Sequence, residues 1–350
     1  MDAWQLIRII LLATISFAIA IGWTPLLTHV LYRYKLGKQI RSSASAPIAS
    51  KLHAAKSGTP TMGGVLVWVT TLAVAGILLV IRQWAPESFF GEMSFLTRSQ
   101  TLLPLGALVA SALAGLVDDY LNVKKIGPHG GGMGLLYRLF LYTGIAAVGA
   151  LWFYFKLDWD LFHVPFVGDF SVGLWYIPIF IVIVAATAFS VNETDGLDGL
   201  AGGVLMTSFG AFAAVAFAQG RYDLAAFCAV IMGALLAFLW FNINPARFFM
   251  GDTGAMGLGI TLGIVAMLTN MALLLPIIGA VLVIESGSVI VQRASRIVRG
   301  KKVFQSTPIH HHFESIGWSE PKIVMRAWVI SVVVSVLGVA LALLDRGLIT

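Results

Sequence analysis

Five aspartates stand out from an apolar chain by their spacing. Asp118 and Asp119 adjoin in "GLVDDY", Asp195 and Asp198 lie three apart in "VNETDGLDGLAGG", and Asp252 sits in "FFMGDTG". Each group falls where a long apolar run meets a connection. Charged groups in or beside a bilayer are costly and mark a substrate path, an ion path or a relay. A carboxylate at a membrane boundary can also be hydrated and merely end a helix, but three clusters on one face ask for a shared task. Glycines surround two of them, with Gly196, Gly199, Gly202 and Gly203 around one pair and Gly251 and Gly254 flanking Asp252. Glycine lets backbone approach a ligand, and N–H groups at a helix start bind phosphate; its other use in membranes is close helix packing. Carboxylates beside phosphate-cradling glycines form the pattern of a Mg2+–diphosphate site, since Mg2+ takes one or two carboxylates plus phosphate oxygens. Lys56, in "HAAKSGTPTMGG", adds a cation, with Thr59 and Thr61 as hydroxyl donors beside it.

The run His310-His311-His312 is a second chemical signal. Neighbours on a helix point about 100° apart, so the three imidazoles face different ways. A zinc site would need further Cys, His or carboxylate ligands, yet the other four histidines are scattered at positions 29, 53, 129 and 163. The segment is also basic, with Arg293, Arg296, Arg299, Lys301 and Lys302 ahead of it. Imidazole N–H groups there can meet phosphate oxygens or a sugar. His311 is expected to contact substrate and His310 and His312 to support the loop, packed against Phe313 or Trp318.

These residues must be positioned by membrane helices. The chain has 350 residues, 58% of them hydrophobic and only 11% charged, with mean hydropathy +0.88, whereas soluble domains carry about 25% charged residues. Runs able to cross a hydrocarbon core of about 30 Å lie near 4–30, 62–81, 101–117, 134–155, 174–190, 200–218, 224–241, 254–270, 272–292 and 324–344. An all-α, polytopic membrane protein of about ten helices is expected, with residues 1–350 forming one membrane domain. Ala18-Ile19-Ala20 resembles a leader-cleavage site, but the run around it is long and weakly charged at its start, so it reads as a retained span. The segment 156–173 alternates aromatic and polar residues around glycine and is expected to form a short hairpin. Cys228, the single cysteine, lies in an apolar run, so neither a disulfide nor a Cys-metal site is available.

Most of the 23 Lys and Arg fall in the connections 31–61, 118–133, 191–199, 242–253 and 293–323 and the adjoining helix ends. The positive-inside rule makes those connections cytoplasmic, and both termini are then extracytoplasmic. Such a collar suits membrane lipids with anionic headgroups or a phosphorylated substrate; no nucleic-acid-binding motif is present.

Taken together, "KSGTPTMGG" at 56–64, "VDDY" at 117–120, "VNETDGLDGLAGG" at 191–203, "FNINPARFFMGDTG" at 241–254 and "PIHHHFESIGWSEPKIVMRAW" at 308–328 resemble the successive signatures of the phospho-N-acetylmuramoyl-pentapeptide-transferase family. The resemblance runs through most of the chain. It implies a ten-helix enzyme of the bacterial cytoplasmic membrane, its site facing the cytoplasm. Such an enzyme transfers phospho-MurNAc-pentapeptide from UDP-MurNAc-pentapeptide to undecaprenyl phosphate, forming lipid I and releasing UMP. It also implies Mg2+ dependence and a homodimer. By position, Asp118, Asp119 and Asp252 match the family's essential aspartates, with Asp252 the expected Mg2+ ligand. Lys56, Thr61, Asn192, Asp195, Asp198, Asn242, Phe249 and Gln292 match positions lining its substrate cleft, and His310, His311 and His312 match its histidine motif, with His311 placed among the catalytic residues. Phe249 can stack on uracil, Asn192 and Asn242 can bond its edge or the phosphates, and Lys56 can offset diphosphate charge.

The chain departs from the family's pattern at Phe189, where an Asn is usual, at Glu193, at Ala255-Met256, and in the glycine-rich 126–134 stretch, where His129 reads as a loop residue. Two mechanisms fit the residues, direct attack by the lipid phosphate and a two-step route through an aspartyl phosphate. The alternatives are a sibling transferase of GlcNAc-1-phosphate onto the same lipid and, in another class, an ion-coupled transporter. The intact histidine motif favours the first reading over the sibling. A transporter would hold its carboxylates near the midplane, not at helix ends.

Overall fold

The computed structural model describes residues 3–37, 56, 58–128, 131–345 and 347; His129 lies outside them. Among the described residues nine helices are long and apolar enough to cross a membrane. They are α1 (Ala3–Arg33), α2 (Val65–Trp84), α3 (Leu102–Val123), α4 (Leu135–Lys156), α5 (Tyr176–Thr194), α6 (Leu200–Ala218), α7 (Tyr222–Asn242), α8 (Gly251–Leu268) and, after two further helices, α11 (Glu320–Asp345). The expected span at 272–292 is not one straight helix. Ala272–Ile278 and α9 (Ala280–Arg299) meet at 86° across Gly279, so ten spans are reached only if this bent pair counts as one. Beyond the bend, Glu285, Ser288, Gln292 and Ser295 are buried while Ile290, Val291, Ile297 and Val298 are exposed, so α9 is amphipathic at helical spacing. It ends at Gly300, whose φ of 63° supplies a left-handed cap. A short α10 (Ile309–Ser315) carries the histidines.

Helix α8 is the hub. Glycine along it lets neighbouring backbones approach closely, as small residues do between membrane helices. A Cβ added at Gly259 would lie 2.8 Å from the Ala188 Cα, and one at Gly263 would lie 2.9 Å from the Val184 Cα, both on α5. From the other side, Gly115 of α3 faces the Asp252 carbonyl oxygen so closely that a Cβ would stand 2.2 Å from it. Packing of α3, α5 and α8 thus draws Asp118 and Asp119, Asn192, and Asp252 to one end of the bundle. Ala255 and Met256, which depart from the family pattern, are fully buried in α8, and Phe189 packs against the core.

At the far end lies the expected hairpin, β1 (Leu161–Val164) and β2 (Gly168–Ser171), antiparallel with Leu161 opposite Ser171 and Val164 opposite Gly168. His163 contacts Asp169 at 2.7 Å and Asp345, the last residue of α11, at 2.6 Å. Arg8 near the start of α1 pairs with Asp223 at 2.9 Å, beside the turn whose Arg221 lies over Trp159. The start of α1 and the end of α11 therefore share the hairpin's face, and the carboxylate clusters occupy the opposite one. Combined with the charge asymmetry, this geometry predicts that a cysteine at 160 is labelled from outside intact cells while one at 127 is not. Labelling at 127 alone would reverse the orientation.

Candidate active site

Three helices and one arginine build the first network. Asp118, on the inner face of α3, is fully buried. One of its oxygens accepts the Met133 N–H, and the other lies 2.7 Å from the Arg138 Nε. Arg138, in the first turn of α4, also donates to Asp252 Oδ2 at 3.0 Å and to Asn192 Oδ1 at 3.1 Å. Asn192 in turn donates to Asp252 Oδ1 at 2.5 Å. Two carboxylates thus converge on a single cationic group, and both ends of the Asn192 amide are spent holding it. Exposure is graded outward, the side chains of Asp118, Asp252 and Arg138 being 0%, 15% and 20% exposed.

Asp119 points the other way. Its Oδ2 accepts the Thr253 N–H at 3.0 Å and its Oδ1 accepts the Thr61 hydroxyl at 3.1 Å. A carboxylate at the first turn of a helix satisfies an orphan N–H and suits the helix dipole, so Asp119 anchors the start of α8 and fixes the position of Asp252. Gly251 is required there: its φ is 73° and a Cβ would meet Asp119 Oδ2 at 2.5 Å. The segment after Lys56 is zipped onto the same place, with Phe249 N–H donating to Pro60 O, Gly63 N–H to Phe249 O and Gly64 N–H to Met250 O, each at 2.8 Å.

A second network is centred on Asp198, six residues after Asn192 and past the end of α5. Lys56 Nζ contacts Asp198 Oδ1 at 2.6 Å and Glu320 Oε1 at 2.5 Å, and stands 5.8 Å from the centroid of the Phe249 ring. Asp198 Oδ2 accepts Asn244 Nδ2 at 2.9 Å and the Ala246 N–H at 3.1 Å. Asp195 caps the end of α5 between the two networks. Asn242 and Gln292, expected to offer amides to substrate, spend them on backbone. Asn242 accepts from Gly199 N–H and donates to Phe248 O; Gln292 accepts from Val303 and Phe304 N–H and donates to Phe304 O.

The histidines differ as their angular spacing requires. His310 is 1% exposed, its Nδ1 is 2.8 Å from Glu285 Oε2 on α9, and its Nε2 faces Gly196, where a Cβ would lie 2.2 Å away. His312 accepts the Gln305 N–H at 3.3 Å and sets its ring edge-on to Phe304. His311, 18% exposed, contacts Glu314 Oε2 at 2.7 Å through Nδ1. Phe313 stacks on Trp318, which Lys322 and Arg326 cover. His310 thereby locks the histidine helix to the Asp195–Asp198 loop.

Arg138 and Glu320 are central to these networks and were not singled out from sequence. Arg138 reads there as one more cytoplasmic charge; its place three residues inside an apolar run is the signal that sets it apart. Glu320 reads as an ordinary helix-start acid.

Residues 101–270 match the family described as Glycosyl transferase family 4, and residues 56–66 match phospho-N-acetylmuramoyl-pentapeptide-transferase signature 1. The chain is 37% identical to the phospho-N-acetylmuramoyl-pentapeptide-transferase of Chloroflexus aggregans, over 96% of this chain and 90% of that protein. It is likewise 37% identical to the proteins of that name from Geobacillus sp. (strain WCH70), over 94% of this chain and 96% of that one, and from Shouchella clausii, over 97% and 98%.

Proposed function

Because the chain belongs to the phospho-N-acetylmuramoyl-pentapeptide-transferase family, it is a transferase that makes lipid I from UDP-MurNAc-pentapeptide and a polyprenyl phosphate, and we propose that it does so around Asp118, Arg138 and Asp252. It is a multi-pass membrane protein of peptidoglycan synthesis. We take the acceptor to be undecaprenyl phosphate, the site to face the cytoplasm from the cytoplasmic membrane, and the assembly to be a homodimer. The observation that supports the site is the convergence of Asp118 and Asp252 on one cation at 2.7 and 3.0 Å, at the rim of the bundle.

The same pair bears on Mg2+. Two hard oxygen donors already surround a positive charge, and among the described residues no third His, Cys, Asp or Glu completes an all-protein metal cage. That donor set fits an ion taking one or two carboxylates and leaving its other positions to phosphate and water. Asp252 would be the ligand, with Asp118 beside it. When bound, Mg2+ would neutralise diphosphate charge.

A phosphate monoester oxygen of the lipid attacks the β-phosphorus of the nucleotide, a new P–O–P linkage forms, and UMP leaves in line. Positioning and charge stabilisation dominate such transfers, and an anionic nucleophile needs little help from a base, so the lipid phosphate attacks directly. Arg138, the most exposed of the three charged groups, offers its guanidinium to the transferring phosphoryl oxygens. Asp118 acts on the incoming lipid phosphate through Arg138, which it holds at 2.7 Å, and Asp119 holds the start of α8. Lys56 exchanges Asp198 and Glu320 for the diphosphate, while Phe249 supplies a face for uracil. His311, oriented by Glu314, contacts the sugar phosphate.

Purified protein incubated with UDP-MurNAc-pentapeptide, undecaprenyl phosphate and Mg2+ should release UMP and form lipid I. UDP-GlcNAc in its place should release none. UMP release from UDP-GlcNAc alone would move the chain to the sibling activity.

A further inference from the structure

Tyr142 is a buried polar side chain near the reaction site to which no role has fallen. It lies one turn after Arg138 on α4, and residues four apart share a helix face. That face, Tyr142, Ala146, Ala150 and Phe153, is buried against the bundle. The Tyr142 ring is 0% exposed, and among the described residues its hydroxyl has no hydrogen-bond partner. The groups within its electrostatic reach are Asp252, Arg138, Asp118 and Glu193. A buried hydroxyl is ordinarily paired, so an unused donor one turn from the arginine that holds Asp252 calls for a reason.

The resting arrangement supplies one. Asp252 Oδ2 and Asp118 Oδ2 are both served by Arg138, which is also the group an entering diphosphate meets first. Drawn outward to phosphate, the guanidinium would leave Asp252 Oδ2 without its present donor. We propose that Tyr142 is a positioning residue for the transfer, its hydroxyl donating to Asp252 once Arg138 turns to the diphosphate, so that the carboxylate stays aimed while charge shifts around it. The inference rests on the reading that the reaction runs at Asp252. The phenol is a neutral donor throughout and no proton changes owner.

Tyr142→Phe removes the hydroxyl and keeps the ring. Turnover with UDP-MurNAc-pentapeptide should fall about tenfold, as for one hydrogen bond to a charged group, with KM within about twofold because substrate is not touched. The thermal midpoint, measured without Mg2+ or substrate, should not drop, since the resting hydroxyl bonds to nothing that the change would break. Wild-type turnover in the variant would overturn the proposal. So would a lowered midpoint, which marks a packing role, or a raised KM with turnover kept, which marks direct substrate contact. If the unsubstituted protein released no UMP, the site reading itself would fail, a result distinct from each of these.

Discussion

Asp252→Asn should abolish turnover and leave the fold intact. The substitution changes almost no volume at a side chain that is only partly buried, and α8 keeps its anchor through Asp119 and Thr253. What it changes is charge and donor count. An amide at 252 must turn an NH2 toward either Asn192 Nδ2 or Arg138 Nη2, the two groups that now donate to the carboxylate at 2.5 and 3.0 Å. One of those bonds becomes a donor facing a donor. The group expected to hold Mg2+ also loses its charge. Removing one preorganised electrostatic group at a transfer site costs about a thousandfold in rate, and UMP release should fall by at least that. Mg2+ should raise the thermal midpoint of the unsubstituted protein, as any ligand of the folded state does, and leave that of the variant unmoved. A near-normal rate for Asp252→Asn at low Mg2+ would remove the metal from this residue.

What the sequence makes legible follows from how local each signal is. Apolar runs register as helices because a bilayer span needs only length and hydropathy, and the hairpin at 161–171 is visible as alternation around a turn. The break at Gly279 is not visible, since an average over a window cannot register an 86° change of direction. Polar residues at helix ends can be located from sequence, but their partners cannot. Asn192 and Asn242 look alike in one dimension, yet one spans Arg138 and Asp252 while the other clamps two stretches of backbone. Arg138 shows the same limit from the other side. Its meaning comes from Asp118, 20 positions earlier, and Asp252, 114 positions later, and only the packing of α3 and α8 brings those together. Glycine is ambiguous for the same reason. Gly251 serves a backbone conformation, Gly115 a helix contact, and Gly196 a side chain from a distant motif.

Gly196→Ala is where that last contact can be tested. The added methyl would stand 2.2 Å from His310 Nε2 and 2.7 Å from its Cε1, and the imidazole has little freedom to yield. Its Nδ1 and its backbone N–H both meet Glu285 Oε2, at 2.8 and 3.3 Å, and Glu285 is itself buried in α9. The loop must therefore move, and the loop carries Asp198, on which Lys56, Asn244 and the Ala246 N–H converge. Overpacking of this kind costs about 1–3 kcal/mol, and a displacement of about 1 Å at positioning groups costs about a hundredfold in rate. The variant should lose both thermal stability and turnover. His310→Ala alone should also destabilise, because it leaves the Glu285 carboxylate buried without its partner. In the double variant, however, the clash is gone, so the combined loss should be smaller than the sum of the two, as for any pair in direct contact. Strict additivity would mean that the methyl never meets the imidazole, and the histidine helix would then owe its place over the Asp195–Asp198 loop to something other than this contact.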